Sequence, residues 1–189
     1  MQLVLASGSP QRRAMLARLG VPFTVRTPGI DELEQGPPEQ VALENARRKA
    51  RAVQRPGSHE LVLGCDTVVV LNGTIYGKPA GEQDARETLG ALSGATHEVL
   101  SGLVLLRPGS GLQDAERTAV ARTAVSFRAL EPGLLDWYLA TGEWRGRAGG
   151  YGIQGAGAAL VRAVSGDYEN VVGLPLASLL DIYPQLLAR

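Results

Sequence analysis

The sequence predicts an α/β fold in which a mixed β-sheet carries helices on its faces. Short apolar segments alternate with amphipathic helical segments along the chain, a pattern typical of a sheet with helices packed on it. Two long segments, at 96–107 and 116–128, are joined at 108–111 by Pro-Gly-Ser-Gly, which indicates an antiparallel pair. A length of 189 residues fits one domain, so residues 1–189 are expected to form a single domain.

The first half of the chain opens as strand, loop and helix. Residues 2–6 are a short apolar strand, and Ser9 is a suitable N-cap for a helix that begins at Pro10. The dipeptide Asn72-Gly73 inside an apolar segment predicts a two-residue hairpin turn. The other elements expected in this half are an extended segment at 23–26, a helix at 39–54, and strands at 61–71 and 74–76.

The second half continues the alternation and contains one segment that is rich in glycine. Residues 147–155 hold too many glycines for the interior of a helix or strand. We therefore expect a loop that closely approaches a ligand or another stretch of backbone. The other elements expected in this half are helices at 81–92, 131–141 and 175–187 and strands at 96–107, 116–128 and 158–164.

Composition excludes several classes of function. The formal net charge is zero and the pI is about 6.7, so we expect no nucleic acid polymer as a partner. A single cysteine, Cys65, excludes an internal disulfide and a cysteine-rich zinc site, and it favours the cytoplasm. No apolar run is long enough to span a bilayer, and the first residues lack the basic flank of a signal peptide. We therefore expect no membrane partner.

The loop after the first strand has the chemistry of a phosphate-binding site. Arg12 and Arg13 lie in the opening turn of a helix, where the macrodipole disfavours cations by roughly 0.3 to 1 kcal/mol. An anion would offset that cost, and the hydroxyls of Ser7 and Ser9, with the free N–H groups of the helix start, can bind the same anion. The alternative is that Ser9 only caps the helix and both arginines are solvated.

Asp66 places a carboxylate inside an otherwise apolar strand segment. Burying an unpaired charge is costly, so a bound cation would offset the cost. Glu32, on a loop rich in proline and glycine, can supply a second oxygen ligand to a hard ion such as Mg²⁺. The alternative is an aspartate at a strand edge that faces water.

Lysine is rare in this chain. Of the 19 basic residues only Lys49 and Lys78 are lysines. A compact, rotatable ammonium differs from a planar guanidinium in reach and geometry, so these two positions are candidates for sites where arginine does not fit. The alternative is chance in a sequence that otherwise prefers arginine.

The order of these motifs resembles a known family. The matching segments are Ser7-Gly8-Ser9-Pro10 with Arg12, Asp31-Glu32, Arg48-Lys49-Ala50, Gly64-Cys65-Asp66-Thr67-Val68, Gly77-Lys78-Pro79, Leu92-Ser93-Gly94 with His97, the segment 148–155, and Val172-Gly173-Leu174-Pro175. Over nearly the whole chain they resemble Maf-family nucleoside triphosphate pyrophosphatases. The resemblance implies a fold similar to the inosine triphosphate pyrophosphatases, with a twisted mixed sheet flanked by helices and two lobes around a central cleft.

The resemblance also implies a role for each candidate residue. The triphosphate would be held by Ser7, Ser9, Arg12, Lys49 and Lys78, and the place of Arg13 in the same helical turn adds it to this set. Glu32 and Asp66 would bind Mg²⁺ or Mn²⁺, and Asp66 would be the base. Water would attack the α-phosphorus and pyrophosphate would leave, with its charge neutralised by the lysines and the metal. The resemblance further suggests a homodimer.

Three positions bear on base selectivity. Thr67 and Gln154 resemble the branch of the family that acts on dTTP and UTP, and the branch that acts on 7-methyl-GTP differs at both. Gln154 offers one acceptor and one donor pair to the O4 and N3–H edge of thymine or uracil. Gln11 departs from the dTTP/UTP branch, which usually has arginine there, and loss of a guanidinium would broaden selectivity. The alternative is a pyrophosphatase of different base preference, such as one that acts on 7-methyl-GTP.

Two alternatives come from other classes of function. The family is associated with inhibition of septum formation, so a nucleotide-binding inhibitor of cell division is one. A nucleotidyltransferase or sugar-nucleotide enzyme is the other, because it too can use a loop of glycine, serine and arginine. Lys49, Asp66 and Lys78 argue for hydrolysis over binding alone, and release of pyrophosphate and monophosphate would distinguish the hydrolase.

Overall fold

The computed structural model describes residues 2–55, 57–107 and 116–187. The strands in these ranges are β1 (Gln2–Ala6), β2 (Phe23–Val25), β3 (Glu60–Leu71), β4 (Thr74–Tyr76), β5 (Thr96–Leu106), β6 (Glu116–Phe127) and β7 (Val161–Ser165). The helices are α1 (Pro10–Arg18), α2 (Pro38–Val53), α3 (Glu82–Leu92), α4 (Pro132–Ala140), α5 (Tyr168–Val172) and α6 (Leu176–Ile182). The expected turn at 108–111 lies outside the described residues.

The described strands form one mixed sheet, which confirms the predicted fold class. The strand order is β2-β1-β3-β5-β6-β7, and β4 pairs with β3 beside this path. β1 pairs with β2 and β3 in parallel, and all other pairs are antiparallel. The antiparallel pairing of β5 with β6 is the one expected from the connection between the two segments.

Two predicted boundaries near the C-terminus were wrong, and one short helix there was not predicted. The strand expected at 158–164 begins only at Val161, because residues 156–160 form a 3₁₀ turn. The helix expected at 175–187 ends at Ile182, and Pro184 disfavours a helical conformation at the residue before it. A short helix that we did not predict, α5, follows Asp167, whose side chain accepts a hydrogen bond from the backbone N–H of Glu169 at 2.8 Å.

Helix α2 packs on one face of the sheet at very short range. A Cβ atom at Gly64 would lie 2.1 Å from the carbonyl oxygen of Ala46, and one at Gly102 would lie 2.5 Å from the backbone of Ala42. These two glycines, on β3 and β5, therefore allow the backbone of α2 to approach the strands. The buried face of α2 is brought directly over the middle of β3.

The opposite face of the sheet carries two separate hydrophobic clusters. Leu63 and Cys65 of β3 belong to a cluster with residues of α1 and α6, whereas Val69 belongs to a cluster with residues of α3 and α4. Because side chains alternate along a strand, Thr67 faces the same side and lies between the two clusters. A cleft opens at this point. The predicted division into two lobes stays a prediction.

Beside the cleft, the edge of β3 that pairs with β1 and β4 has a gap. β1 pairs with β3 up to Gly64, and β4 pairs with it from Val69 onward. Between these points β3 has no strand partner on that edge within the described ranges, while β5 pairs along the other edge. Asp66 and Thr67 lie in the gap, where the loop after β1 can reach them.

No helix in the described part of the chain is long and apolar enough to cross a membrane. The cytoplasmic location and the homodimer stay predictions.

Candidate active site

A cleft of about 430 Å³ contains nearly every residue that the sequence singled out. The candidate residues that line it are Ser7, Ser9, Gln11, Arg12, Glu32, Lys49, Asp66, Thr67, Lys78 and Gln154. Arg13 is the exception, because it is exposed and does not line the cleft. We therefore remove Arg13 from the expected substrate-binding set.

The loop after β1 forms one wall of the cleft. Ser9 caps helix α1, and its hydroxyl accepts a hydrogen bond from the backbone N–H of Arg12 and donates one to Oε1 of Gln11. Ser7 Oγ accepts from the backbone N–H of Ser9 at 3.1 Å. Both hydroxyls and the start of α1 thus face the same small volume, as the sequence predicted.

Arg12 is buried, so the alternative of a solvated arginine is wrong for this residue. Its Nε donates to the carbonyl of Gly173 at 2.7 Å, and its terminal nitrogens donate to Ser7 Oγ at 3.3 Å and to Thr67 Oγ1 at 3.0 Å. The guanidinium therefore joins the opening loop, β3 and the turn after α5. Arg12 presents a fixed positive charge at the cleft wall.

Four charged side chains alternate in sign across the floor of the cleft. Lys49 Nζ lies 2.5 Å from Asp66 Oδ1 and 2.6 Å from Glu32 Oε1. Lys78 Nζ donates to the second oxygen of Glu32 at 2.8 Å. Asp66 is 5% exposed and Lys49 is 6% exposed, so the alternative of a water-facing aspartate is wrong. Lys49 offsets the burial cost that the sequence led us to assign to a metal.

Glu32 is held as a carboxylate. Burial acts to raise its pKa, but hydrogen bonds from Lys49 and Lys78 and their positive charges outweigh burial and lower the pKa to about 2. A carboxyl group with this pKa is ionised at neutral pH. Glu32 is therefore available as an anionic oxygen ligand.

The donor set fits a hard divalent cation. Glu32 and Asp66 each contact the same ammonium nitrogen, so one cation can contact both carboxylates. Among the described residues no group of three or more His, Cys, Asp or Glu side chains could hold a metal. Two carboxylates completed by water and substrate oxygens are the arrangement that Mg²⁺ commonly adopts with phosphates.

The glycine-rich segment also lines the cleft. Tyr151, Gly152, Ile153 and Gln154 line the cleft, and the residue Gln154 is exposed. The predicted close approach to another stretch of backbone is confirmed at Gly149, whose N–H donates to the carbonyl of Gly77 at 2.9 Å. The φ of Gly149 is +65°, and a Cβ there would lie 2.8 Å from Val69 Cγ2. Only glycine readily adopts this conformation in so little space.

Two polar residues near the site were not among the candidates chosen from sequence. Asn45 lies on the buried face of α2 and donates to Asp66 Oδ2 at 3.1 Å. His97 Nε2 lies 2.8 Å from the hydroxyl of Tyr151, and burial lowers the His97 pKa to about 4, so the ring is neutral at pH 7. The signal for Asn45 was a polar residue among the inward-facing alanines of an amphipathic helix.

Comparison with known sequences gives a consistent result. Residues 2–186 match the sequence profile of the family described as Maf-like protein. A dTTP/UTP pyrophosphatase from an Anaeromyxobacter species (strain Fw109-5) is 50% identical over 96% of this chain and 87% of its own. A dTTP/UTP pyrophosphatase from Symbiobacterium thermophilum is 44% identical over 97% of this chain and 93% of its own.

Solved structures give more distant matches. A HAM1 protein from Coxiella burnetii aligns with a TM-score of 0.46 at 16% identity, covering 67% of this chain and 73% of that chain. A nucleoside-triphosphatase, dITP/XTP pyrophosphatase, from Mycobacterium abscessus aligns with a TM-score of 0.43 at 19% identity, covering 67% and 74%. The sequence match covers the whole cleft, and the chain belongs to the Maf-like protein family.

Proposed function

We propose that this protein hydrolyses dTTP and UTP to the nucleoside monophosphate and pyrophosphate. The observation that carries the proposal is the cluster of Lys49, Glu32, Asp66 and Lys78 in a cleft that Gln154 also lines. Relatives named dTTP/UTP pyrophosphatase, at 44% and 50% identity over almost the full chain, support the same substrates.

The triphosphate would lie between the loop after β1 and the two lysines. Ser7 and Ser9 offer hydroxyl donors and α1 offers its free N–H groups. Lys78 has a half-exposed side chain, so it can turn from Glu32 to a phosphate oxygen without leaving the cleft. Lys49 is buried and would supply charge close to the scissile bond.

A divalent metal, Mg²⁺ or Mn²⁺, would be held by Glu32 and Asp66. When bound, such an ion neutralises phosphate charge and lowers the pKa of a coordinated water. Asp66 lines the cleft; its Oδ1 accepts from Lys49 and its Oδ2 accepts from Asn45. We infer that Asp66 accepts the proton of the attacking water, and that the lysines stabilise the charge of the departing pyrophosphate.

The direct test of this function is product analysis. Purified protein with Mn²⁺ or Mg²⁺ should release pyrophosphate and monophosphate in equal amounts from dTTP and UTP, and more slowly from dATP, GTP and 7-methyl-GTP. Excess EDTA should abolish the release. Orthophosphate as the first product, or full activity in EDTA, would contradict the proposal, and a preference for 7-methyl-GTP would change its substrate.

Replacement of Gln154 by Ala should lower the selectivity for pyrimidine bases more than it lowers the rate of the hydrolysis step itself. A lost hydrogen bond costs roughly 0.5 to 1.5 kcal/mol, and a partner left unpaired costs up to about 3. The value of kcat/KM for dTTP and UTP should therefore fall by about 10- to 100-fold, with a much smaller effect on tripolyphosphate. An equal loss on every triphosphate would show that Gln154 supports the loop or the phosphates instead.

In the same assay Gln11→Arg should sharpen the preference for pyrimidines.

Replacement of Lys49 or Lys78 by Arg should abolish most activity. Lys49 Nζ fits between two carboxylate oxygens at 2.5 and 2.6 Å, and a longer planar guanidinium cannot occupy the same point. We expect kcat to fall at least about 10-fold for each variant, with the larger loss at the buried Lys49. Arg51→Lys, on the exposed side of α2, is the matched control and should be nearly silent. If kcat is equally unaffected in the Lys49, Lys78 and Arg51 variants, the two lysines are present by chance and the site does not require them.

A further inference from the structure

Asn45 is a buried amide that contacts two segments of the candidate site. The residue is 1% exposed. Its Oδ1 accepts from the backbone N–H of Leu33 at 2.7 Å, and its Nδ2 donates to the carbonyl of Leu33 at 3.0 Å and to Asp66 Oδ2 at 3.1 Å. One amide therefore connects α2, the segment between β2 and α2, and β3.

The contact with Leu33 determines where Glu32 lies. Residues 26–37 contain no helix or strand, so the segment has no ladder of backbone hydrogen bonds to hold it. Asn45 pairs with both backbone polar groups of Leu33, as a neighbouring strand would do. Because Leu33 follows Glu32 directly, this pairing holds the Glu32 backbone beside α2.

The contact with Asp66 determines how its carboxylate is turned. Asn45 and Lys49 are four residues apart, so they lie on the same face of α2 one turn from each other. Asn45 binds Oδ2 of Asp66, and Lys49 binds Oδ1. With Oδ2 engaged by the amide, Oδ1 is the oxygen that shares Lys49 Nζ with Glu32.

We propose that Asn45 is a positioning residue that holds Glu32 and Asp66 in one arrangement suited to a divalent cation. The inference rests on the proposed metal-dependent hydrolysis. Partners that orient metal-binding carboxylates typically contribute 10- to 100-fold to metal affinity or activity. Asn45 should act on metal binding and kcat, because it does not line the cleft in which the nucleotide would lie.

The test measures Mn²⁺ binding directly, through the electron paramagnetic resonance signal of free Mn²⁺, in the presence of the uncleavable α,β-imido analogue of dUTP. Asn45→Leu removes the amide at similar volume and should weaken Mn²⁺ binding at least about 10-fold. In turnover with UTP, kcat should fall by a similar factor while the KM for the nucleotide changes less than about 3-fold. Asn45→Gln restores an amide and should recover part of the Mn²⁺ affinity, which a role confined to packing would not do.

Asn170 provides a matched control. It is equally buried, and its Nδ2 donates to the carbonyl of Val99 at 2.9 Å and to Thr123 Oγ1 at 3.0 Å, without a contact to Glu32 or Asp66. Asn170→Leu should lower thermal stability but leave Mn²⁺ affinity within about 2-fold of the unmodified protein. An equal loss of Mn²⁺ affinity in both Leu variants would overturn the proposal, and so would folded Asn45→Leu with unchanged affinity.

Two further outcomes are separated by the same design. If Asn45→Leu does not fold, Asn45→Ala replaces it in the test, because water can enter the space left by the shorter side chain and bind the freed polar groups. Unchanged Mn²⁺ affinity in Asn45→Ala would overturn the proposal. If the unmodified protein binds Mn²⁺ but releases no pyrophosphate from UTP, the proposed function is wrong. The Mn²⁺ affinities of the Asn45 variants still test whether Asn45 positions the two carboxylates.

Discussion

Asp66→Asn is expected to lower kcat for dTTP and UTP at least about 100-fold, the range in which loss of a positioned base or a metal ligand falls. The substitution preserves shape and removes the negative charge that Oδ1 places 2.5 Å from Lys49 Nζ. Steady-state kinetics with saturating Mn²⁺ measure kcat, and a Mn²⁺ titration separates weakened metal binding from lost chemistry. Activity near that of the unmodified enzyme would remove Asp66 from the mechanism.

The same variant should remain folded but become less stable. Lys49 loses a charged hydrogen-bond partner, which is worth roughly 1.5 to 3 kcal/mol, but keeps its contact with Glu32. Equilibrium unfolding in urea measures this change. Asp31→Asn is the matched control, because Asp31 is adjacent to Glu32 in the chain, is exposed and does not line the cleft. It should leave both kcat and stability nearly unchanged.

Gly64→Ala is expected to produce the largest loss of stability. The new Cβ would lie 2.1 Å from the carbonyl oxygen of Ala46 and 2.9 Å from the Cβ of Ala50, and backbone atoms of a packed helix cannot move aside alone. Overpacking typically costs about 1 to 3 kcal/mol, and we expect about 3 kcal/mol or more because the collision involves backbone. Since α2 carries Lys49, its displacement should also lower kcat in any folded fraction.

Gly90 offers the matched control for this substitution. It lies in helix α3 and is exposed, and a Cβ added there would meet no atom within 4 Å. Gly90→Ala should therefore raise stability by roughly 0.5 to 1 kcal/mol, the difference in helix propensity. Urea unfolding of the two variants side by side tests the packing argument, and a similar small effect in both would refute it.

Much of the fold followed from local patterns. The cap at Ser9, the turn at Asn72-Gly73 and the antiparallel pairing of β5 with β6 each follow from residues close in sequence, and all three were confirmed. The errors arose near the C-terminus. The 3₁₀ turn before Val161 and the short helix α5 have too few residues for a clear hydrophobic period.

Part of the candidate site could also be predicted from the sequence. A carboxylate in an apolar strand must have a partner, so Asp66 could be singled out from sequence. The sequence did not identify Lys49 as the partner that offsets its charge, because the two residues meet only when α2 packs on β3. Arg12 and Arg13 are equivalent by composition, but successive residues of a helix point in directions about 100° apart. Packing of α1 turned Arg12 inward and left Arg13 exposed.

By itself the sequence determined most of the segments that become helices and strands, which residues carry unusual charge, and which family the chain resembles. Only the tertiary structure decided that β1 and β4 leave a gap on the edge of β3, that Gly64 admits α2, and that Asn45 holds the segment carrying Glu32. The physical reason is how far apart along the chain the interacting residues lie. Capping, turn formation and side-chain period depend on neighbours within a few residues, whereas these contacts depend on strand register and on backbone approach between segments far apart in the chain.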